Sequence, residues 1–273
     1  QDVADLVLKK VEVLAEGGER MAIQWRDSGF INRKLCKRPV MVVPYGGTRH
    51  SCRGYVLQYM RDEFNSGAPN PWAQEEFDLF LPSFWLSQIL WEAIGEIVIG
   101  ARECMKWIQD CSSIVAKDDK PLVWTTPTQF VVHQEYFSFK ELRITTFIDG
   151  TLVKPRVRDH GSKMDGFRNR NGSAPNFVHS LDASHLTYSI HKCNIYGIKD
   201  YSMIHDSYGV HARYVPDMAH ALRKAFVEMY EENDVITNFR GDAEESVGLP
   251  MPDPPERGNL DIDSVIGATY FFA

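Results

Sequence analysis

Apolar residues recur every three or four positions along much of the first 115 residues, which predicts a mainly helical region. Helices are predicted from Asp2 to Glu16 and from Gly47 to Met60. The longest periodic segment runs from Pro82 to about Val115 and predicts one long core helix. Its apolar positions are Trp91, Ile94, Val98, Ala101, Met105 and Ile108.

Shorter segments with strand character follow the turn after residue 118. Strands are predicted at Val123-Trp124 and from Phe130 to Tyr136. The segments Leu142 to Ile148 and Thr151 to Val153 flank Asp149-Gly150. This dipeptide supports the positive φ angles of a tight turn, so the pattern predicts a β-hairpin.

The last hundred residues mix the two patterns. The stretch from His160 to Gly172 is glycine-rich and basic and predicts a loop. Ala174-Pro175 then predicts a helix start, because proline is favoured in a first turn. Short strands at Tyr201 to Ile204 and Tyr208 to His211 leave His205-Asp206-Ser207 at a bend. A further amphipathic helix and an acidic, proline-rich loop complete the prediction.

Composition places the chain in the globular class. It has 273 residues, 44% of them apolar, enough for a sizeable core. Its five cysteines are scattered without any C-x-x-C pair, which favours a reducing cytoplasm. The most apolar segment carries Glu92 and Glu96, so neither a membrane span nor a signal peptide is expected. Because Gln1 stands first, a partial or processed chain is expected.

The net charge of −7 argues against nucleic-acid binding, but the charges are segregated. Nine acidic residues between Glu228 and Glu256 face only Arg240, which predicts a solvated outer face. The segment 151–170 suits phosphate binding, because it carries six basic residues: Lys154, Arg156, Arg158, Lys163, Arg168 and Arg170. In the preceding hairpin, Arg143 and Thr145 alternate onto one face. That ribbon suits a DNA groove, and an ordinary surface hairpin fits equally well.

A basic row is the main candidate for chemistry. In a helix, Arg33, Lys37 and Met41 lie one turn apart, and Tyr45 continues the row. Two prolines within this stretch predict a kink. A row of cations that ends in a phenol suits the binding of a nucleoside triphosphate. A solvated basic helix face is the simpler alternative.

Two further groups of side chains suggest metal chemistry. Asp206 at its bend suits a Mg²⁺ ligand in phosphoryl transfer, although His-Asp alone is weak support. His179, Asp182 and His185 resemble a metal row. Steps of three residues drift around a helix, so these histidines are interpreted as hydrogen-bonded in place.

Several motifs in order resemble single-subunit, bacteriophage-type DNA-directed RNA polymerases. They are Arg-x3-Lys-x7-Tyr-Gly from Arg33, the run Ala174 to Leu186, Ile204-His205-Asp206-Ser207, and the end Phe271-Phe272-Ala273. The resemblance implies a mixed α+β, mainly helical chain with the architecture of a right-hand polymerase. Residues 1–175 would form the fingers, with a nucleotide-binding helix 33–46 and a specificity hairpin about 140–156. Residues 176–273 would form the C-terminal half of the palm.

The resemblance also implies roles for individual residues. Lys37 and Arg33 would hold the triphosphate, with Arg38 a weaker candidate. Tyr45 and His179 would select the ribose, and Gly46 would allow close approach of the template base. The remaining roles concern metal and nucleic acid: Asp206 as a Mg²⁺ ligand, His205 beside the RNA 3′ end, and Arg143 and Thr145 as promoter base contacts.

Departures from the family pattern leave alternatives open. Two-metal chemistry needs a second carboxylate, and no motif resembling the family's upstream aspartate motif occurs here. We therefore expect a fragment or a split subunit, inactive without an N-terminal half. Ala4 stands where many relatives have tyrosine. The alternatives are a DNA polymerase of the same architecture, disfavoured by Ser207 and Met41, and a non-catalytic nucleic-acid-binding remnant. The expected setting is a phage-encoded protein in a bacterial cytoplasm.

Overall fold

The computed structural model describes residues 1–73 and 79–271. Its helices and short antiparallel strands confirm a mixed α+β, mainly helical chain. The chain divides into two compact units, Gln1–Met105 and Lys106–Ala273. This division falls earlier than the functional boundary predicted at 175, because the strands and the helix that follows them share one compact unit. Phe272 and Ala273 of the predicted C-terminal motif lie outside the described residues.

The first unit is helical in its described part. Its elements are α1 (Asp2–Glu16), α2 (Arg20–Ser28), α3 (Arg33–Met41), a 3-10 turn (Val43–Tyr45), α4 (Arg49–Asn65), α5 (Phe80–Ile97) and the start of α6 (Ile99–Lys117). The core contains Trp25 and Trp72, whose ring centroids lie 4.8 Å apart. The Trp25 indole donates to the carbonyl of Pro82 at 3.1 Å. Ala4 of α1 is buried in the same core.

Asn32 fixes the start of α3. Its side-chain oxygen accepts a hydrogen bond from the Leu35 amide at 3.1 Å, as helix N-caps do. Its amide nitrogen donates to the Tyr59 hydroxyl of α4 at 2.9 Å. Leu35, Cys36 and Pro39 are buried. One face of α3 is therefore anchored, and its basic residues lie on the exposed side.

The single long helix predicted from Pro82 to Val115 is wrong, because the chain bends by 92° between α5 and α6. Three consecutive β-branched residues, Ile97 to Ile99, lie at the break, with Gly95 and Gly100 nearby. Both residue classes lower helix propensity. The Arg102 guanidinium lies over the Trp91 ring, 5.6 Å from its centroid, and a side chain at Gly95 would collide with it.

No single helix in the described ranges is long and apolar enough to cross a membrane. Among the helices that the structure describes, α5 and α6 reach that length and composition when taken together, as a sharply bent pair.

The second unit combines helices with two-stranded antiparallel sheets. Its elements are β1 (Leu122–Thr125), β2 (Val131–Gln134), β3 (Phe137–Arg143), β4 (Thr146–Ile148), β5 (Thr151–Val153), β6 (Arg156–Met164), α7 (Gly166–Ile195), β7 (Ser202–Ile204), β8 (Ser207–Gly209), α8 (Val215–Glu232) and α9 (Val235–Val247). The pairs are β1 with β2, β3 with β6, β4 with β5 and β7 with β8. Trp124, Phe177 and Phe239 pack in its core.

The loop predicted from His160 to Gly172 is wrong, because β6 runs to Met164 and α7 begins at Gly166. The Asp165 side chain caps α7 by accepting from the Arg168 amide at 3.0 Å. Buried Asn169 bonds the backbone N–H and C=O of Tyr136. These contacts are tertiary, and they hold the first turns of α7 against the sheet. Pro175 consequently lies inside the helix rather than at its start.

The continuous acidic loop predicted before the C-terminus is also wrong, because α9 occupies residues 235–247. Its carboxylates are not simply solvated. Asp242 accepts from the Thr125 amide at 2.6 Å, and Glu244 accepts from the Met251 amide at 2.9 Å. Arg240 pairs with Glu244 at 3.0 Å and with Asp253 at 2.9 Å.

Candidate active site

A cavity of about 310 Å³ lies beside α3 in the first unit. Its lining consists of Gln1, Val3, Arg33, Cys36, Lys37, Val40 and Met41. Arg33, Lys37 and Met41 therefore share one face of the helix, as their spacing predicts. The aliphatic side chains and the two cations together form a pocket with an apolar base and a basic rim.

The charge of this cavity is not neutralised. Lys34, on another face of α3, pairs with Glu63 at 2.6 Å. In the described part of the chain, neither Arg33 nor Lys37 forms an ion pair, and both are exposed. Burial raises the pKa of the Cys36 thiol to about 11, so this thiol adds no negative charge at neutral pH. The lining thus attracts an anion.

Tyr45 lies on the 3-10 turn rather than on the α-helical row, and it does not line the cavity. Pro44 has no N–H to continue the helix, and the chain tightens through a bond from the Tyr45 amide to the Val42 carbonyl at 3.1 Å. Gly46 adopts a φ of 80°. A side chain at Gly47 would meet the Val42 carbonyl at 2.8 Å. The glycine pair is therefore required by the turn itself.

Arg38 is exposed and does not line the cavity either. It follows Lys37 directly and so points about 100° around the helix from it. The structure thus separates this residue from the pair formed by Arg33 and Lys37.

The second unit presents Asp206 at the turn between β7 and β8, where Ile204 pairs with Ser207. Asp206 is exposed. His205 beside it has a φ of 52°, in the left-handed region that non-glycine residues rarely adopt. The bend predicted from the sequence is confirmed, and it places the carboxylate at the tip of a hairpin.

Asp206 lines a cavity of about 320 Å³ between this hairpin and α8. The other lining residues are Ser207, Tyr208, Val215, Met218, Ala219, Leu222 and Arg223. Arg223 donates to the carbonyls of Ala219 at 2.9 Å and Ala268 at 3.2 Å. No sequence signal had singled out Arg223. His205 is adjacent in sequence but is not part of this lining.

His185 lies behind this cavity and is hydrogen-bonded in place, as predicted. It is buried, with Nε2 3.0 Å from the Leu222 carbonyl and Nδ1 3.3 Å from the Tyr208 hydroxyl. His179 on the same helix is exposed, which confirms that the row drifts around α7. Within the described residues, no group of three or more His, Cys, Asp or Glu side chains could hold a metal ion.

The β3–β6 and β4–β5 pairs form one exposed ribbon around Asp149-Gly150, both of which have positive φ. Arg143 lies directly opposite Arg156. Strand pairing is interrupted at Ile144-Thr145, opposite Pro155, which has no N–H to donate. Arg143 and Thr145 are both exposed, but the break means that they do not lie on one continuous strand.

The predicted site residues are therefore divided between two units. Arg33, Lys37, Arg38, Tyr45 and Gly46 belong to the first unit; Arg143, Thr145, His179, His205 and Asp206 belong to the second. Each group is accessible within its own unit.

Comparison with known sequences identifies the class. The family model of DNA-dependent RNA polymerases matches residues 1–249, so this chain belongs to that family. Similar proteins include mitochondrial DNA-directed RNA polymerase 1 of Nicotiana sylvestris, which is 32% identical over 243 residues. The DNA-directed RNA polymerases of Enterobacteria phages K11 and T3 are 30% and 29% identical over 281 and 282 residues.

The resemblance to phage-type polymerases is thus confirmed. The alignments cover 89% of this chain for the Nicotiana protein and 96% for the phage proteins. They cover only 23% and 31% of those relatives, respectively. The chain therefore spans less than a third of the length of these relatives.

Proposed function

We propose that this chain carries out part of DNA-directed RNA synthesis: it binds the incoming ribonucleoside triphosphate and supplies one ligand of a catalytic metal. The observation that carries the proposal is the cationic cavity on α3. Arg33 and Lys37 line it and form no ion pair within the described residues, while the opposite side of α3 is buried, and the family resemblance implies that these two residues hold the nucleotide. Relatives named as DNA-directed RNA polymerases support the same activity.

Each residue of the nucleotide site has a chemical role in this proposal. Arg33 and Lys37 bind phosphate oxygens, and Lys37 neutralises charge that develops on the phosphates. Tyr45, which is 42% exposed, offers its hydroxyl to the ribose together with His179. Gly46 leaves room for the template base. Arg38 is a weaker phosphate ligand, because it lies off the cavity.

Asp206 suits a divalent ion such as Mg²⁺, which prefers oxygen ligands and commonly binds one or two carboxylates with substrate phosphates. When bound, the ion lowers the pKa of the RNA 3′-hydroxyl and stabilises the leaving pyrophosphate. His205 would lie beside that RNA terminus. A single carboxylate does not complete a two-metal site, so we propose that a second one comes from another polymerase segment, in the same polypeptide or in a partner subunit.

The exposed ribbon is proposed as the promoter-reading element, within fingers formed by residues 1–175 and a half-palm formed by 176–273. Arg156 pairs with Glu141 at 3.8 Å, whereas Arg143 directly opposite forms no ion pair within the described residues, so Arg143 is available to a nucleic-acid ligand. The partners of the whole chain would be template DNA, promoter DNA and the RNA product. The similar proteins include both phage and organellar enzymes. That a phage encodes this chain and that it acts in a bacterial cytoplasm therefore stays a prediction.

A DNA polymerase of the same architecture is the main rival. Sugar choice separates the two, since an RNA polymerase prefers ribonucleotides and loses part of that preference in Tyr45→Phe. A non-catalytic remnant would incorporate neither sugar under any condition of the assays below.

Nucleotide binding should depend on Lys37 much more than on Lys34. Removing a hydrogen bond to a charged group costs about 1.5–3 kcal/mol, so Lys37→Ala should weaken ATP binding by roughly 10-fold to 150-fold. Lys34→Ala is the matched control, because this lysine is on the same helix but already pairs with Glu63. Calorimetric titration of the 273-residue chain measures both. Equal losses in the two variants would contradict a specific site at Lys37.

RNA synthesis should require both Asp206 and a second carboxylate. We expect Mg²⁺-dependent incorporation on a primed template only when a second chain carrying the family's upstream aspartate motif is added. Asp206→Asn should abolish it, whereas Asp217→Asn, an exposed acid of α8 outside the cavity, should retain it. Robust synthesis by the 273-residue chain alone would refute the claim that its metal site is incomplete. Activity of the complemented Asp206→Asn variant would refute the claim that Asp206 is a metal ligand.

Promoter choice should change in Arg143→Ala and Thr145→Ala, while extension of a preformed primer stays intact. Loss of a bidentate arginine contact costs about 1–3 kcal/mol against the preferred base. Arg158→Ala is the control, since Arg158 lies on the same ribbon and pairs with Glu141 at 3.5 Å. Transcription from a set of single-base promoter variants measures the effect. A uniform loss on every template would indicate phosphate binding instead.

A further inference from the structure

The imidazole of His185 joins the two walls of the Asp206 cavity. Tyr208, on the hairpin wall, lies 3.3 Å from Nδ1, and the carbonyl of Leu222, on the α8 wall, lies 3.0 Å from Nε2. Both partners line the cavity, whereas His185 lies behind them. Tyr208 follows Asp206 by two residues on β8. One side chain of α7 therefore bridges the strand that follows the Asp206 turn and the helix opposite it.

The hydrogen-bond chemistry fixes which nitrogen carries the proton. A carbonyl oxygen can only accept, so Nε2 must donate to Leu222. Burial lowers the pKa of His185, which favours the neutral ring, and the neutral ring leaves Nδ1 as the acceptor for the Tyr208 hydroxyl. The Ser189 hydroxyl donates to the His185 carbonyl at 2.7 Å and lies 3.4 Å from Nε2. It can therefore share the Nε2 proton without reversing this assignment.

Aromatic packing holds the ring in this orientation. The ring centroid of His185 lies 5.7 Å from that of Phe226 and 6.4 Å from that of Phe271, both edge-on. The Tyr208 ring is also edge-on at 6.0 Å. An imidazole packed on several sides cannot rotate freely, so the two hydrogen bonds have fixed directions.

We propose that His185 is a positioning residue for Asp206. By linking Tyr208 to the Leu222 carbonyl, it sets the separation between β8 and α8 and therefore the place of the carboxylate in its cavity. The kinetic consequence rests on the proposed function, in which Asp206 is a metal ligand. The hydrogen-bond link itself does not depend on that function.

Two variants of the link test the proposal in the complemented polymerase. Tyr208→Phe keeps the ring and removes the hydroxyl, and His185→Gln keeps a donor for Leu222 but offers Tyr208 no ring nitrogen. Each should lower kcat by about threefold to tenfold, the usual effect of one neutral hydrogen bond, and should raise the Mg²⁺ concentration needed for half-maximal rate. ATP binding at Arg33 and Lys37, measured by titration of the 273-residue chain, should not change, because both cations belong to the other unit.

The double variant His185→Gln/Tyr208→Phe should be no slower than the slower single variant, because both changes break one link. Tyr188→Phe is the matched control. Tyr188 is another α7 tyrosine, and its hydroxyl reaches the Pro127 carbonyl at 3.5 Å, away from the cavity. It should leave kcat and the Mg²⁺ requirement unchanged. Additive losses, or unchanged kcat in both single variants of an active polymerase, would overturn the proposal.

A readout independent of activity separates this inference from the proposed function. Long-range ¹H–¹⁵N spectra of the 273-residue chain should show His185 protonated at Nε2, with the Nδ1 signal shifting in Tyr208→Phe. An Nδ1-protonated ring, or no shift, would overturn the link even in an active enzyme. Absence of RNA synthesis by the wild-type pair, with the expected spectra, would instead overturn the proposed function and with it the kinetic role of His185.

Discussion

Within the described residues, each unit keeps charged side chains exposed and without an ion-pair partner, and this requirement constrains how each unit folds. Isolated charges gain little from folding and are usually paired or solvated, so the fold must hold them without neutralising them. On α3, burial of Leu35, Cys36 and Pro39 fixes the helix while Arg33 and Lys37 remain on the exposed face. The Asn32 cap and its bond to Tyr59 fix the start of the same helix.

In the second unit, the Asp206 carboxylate must likewise be held in place while it stays exposed. Asp206 lies at the tip of a two-residue turn with His205 in a left-handed conformation. Such a conformation costs free energy and persists when surrounding contacts determine it. The link from Tyr208, two residues after Asp206, through His185 to α8 is one such contact. The left-handed conformation of His205, with the hydrogen bonds of His185 behind the hairpin, is compatible with a functional turn.

Local signals predicted much of this arrangement. Helical periodicity identified α1 and α4, Asp149-Gly150 identified the ribbon turn, and the spacing of Arg33, Lys37 and Met41 identified their shared face. The failures arose where tertiary contacts override local preference. Asn169 and Gln134 bond the start of α7 to the sheet, so a glycine-rich basic segment is helical. Conversely, three β-branched residues end α5 within an otherwise periodic segment.

The spacing of residues in the sequence also does not predict which distant side chains form hydrogen bonds in the fold. His185 was correctly interpreted as a hydrogen-bonded histidine, but its partners Tyr208 and Leu222 are 23 and 37 residues away. Tyr45 left the predicted row because Pro44 interrupts the helix. Family motifs include both positions, and the role that they imply for Tyr45 stays a proposal. They do not specify the contacts that hold those positions.

Metal-directed cleavage tests the central claim that Asp206 is a ligand of the catalytic ion. Fe²⁺ substituted for Mg²⁺ in the complemented polymerase, with ascorbate and peroxide, generates radicals that cut the backbone near the bound ion. The account predicts cuts close to Asp206, between β7 and β8, that disappear in Asp206→Asn and are competed by excess Mg²⁺. Cuts confined to other segments, or cuts near residue 206 that survive Asp206→Asn, would contradict it.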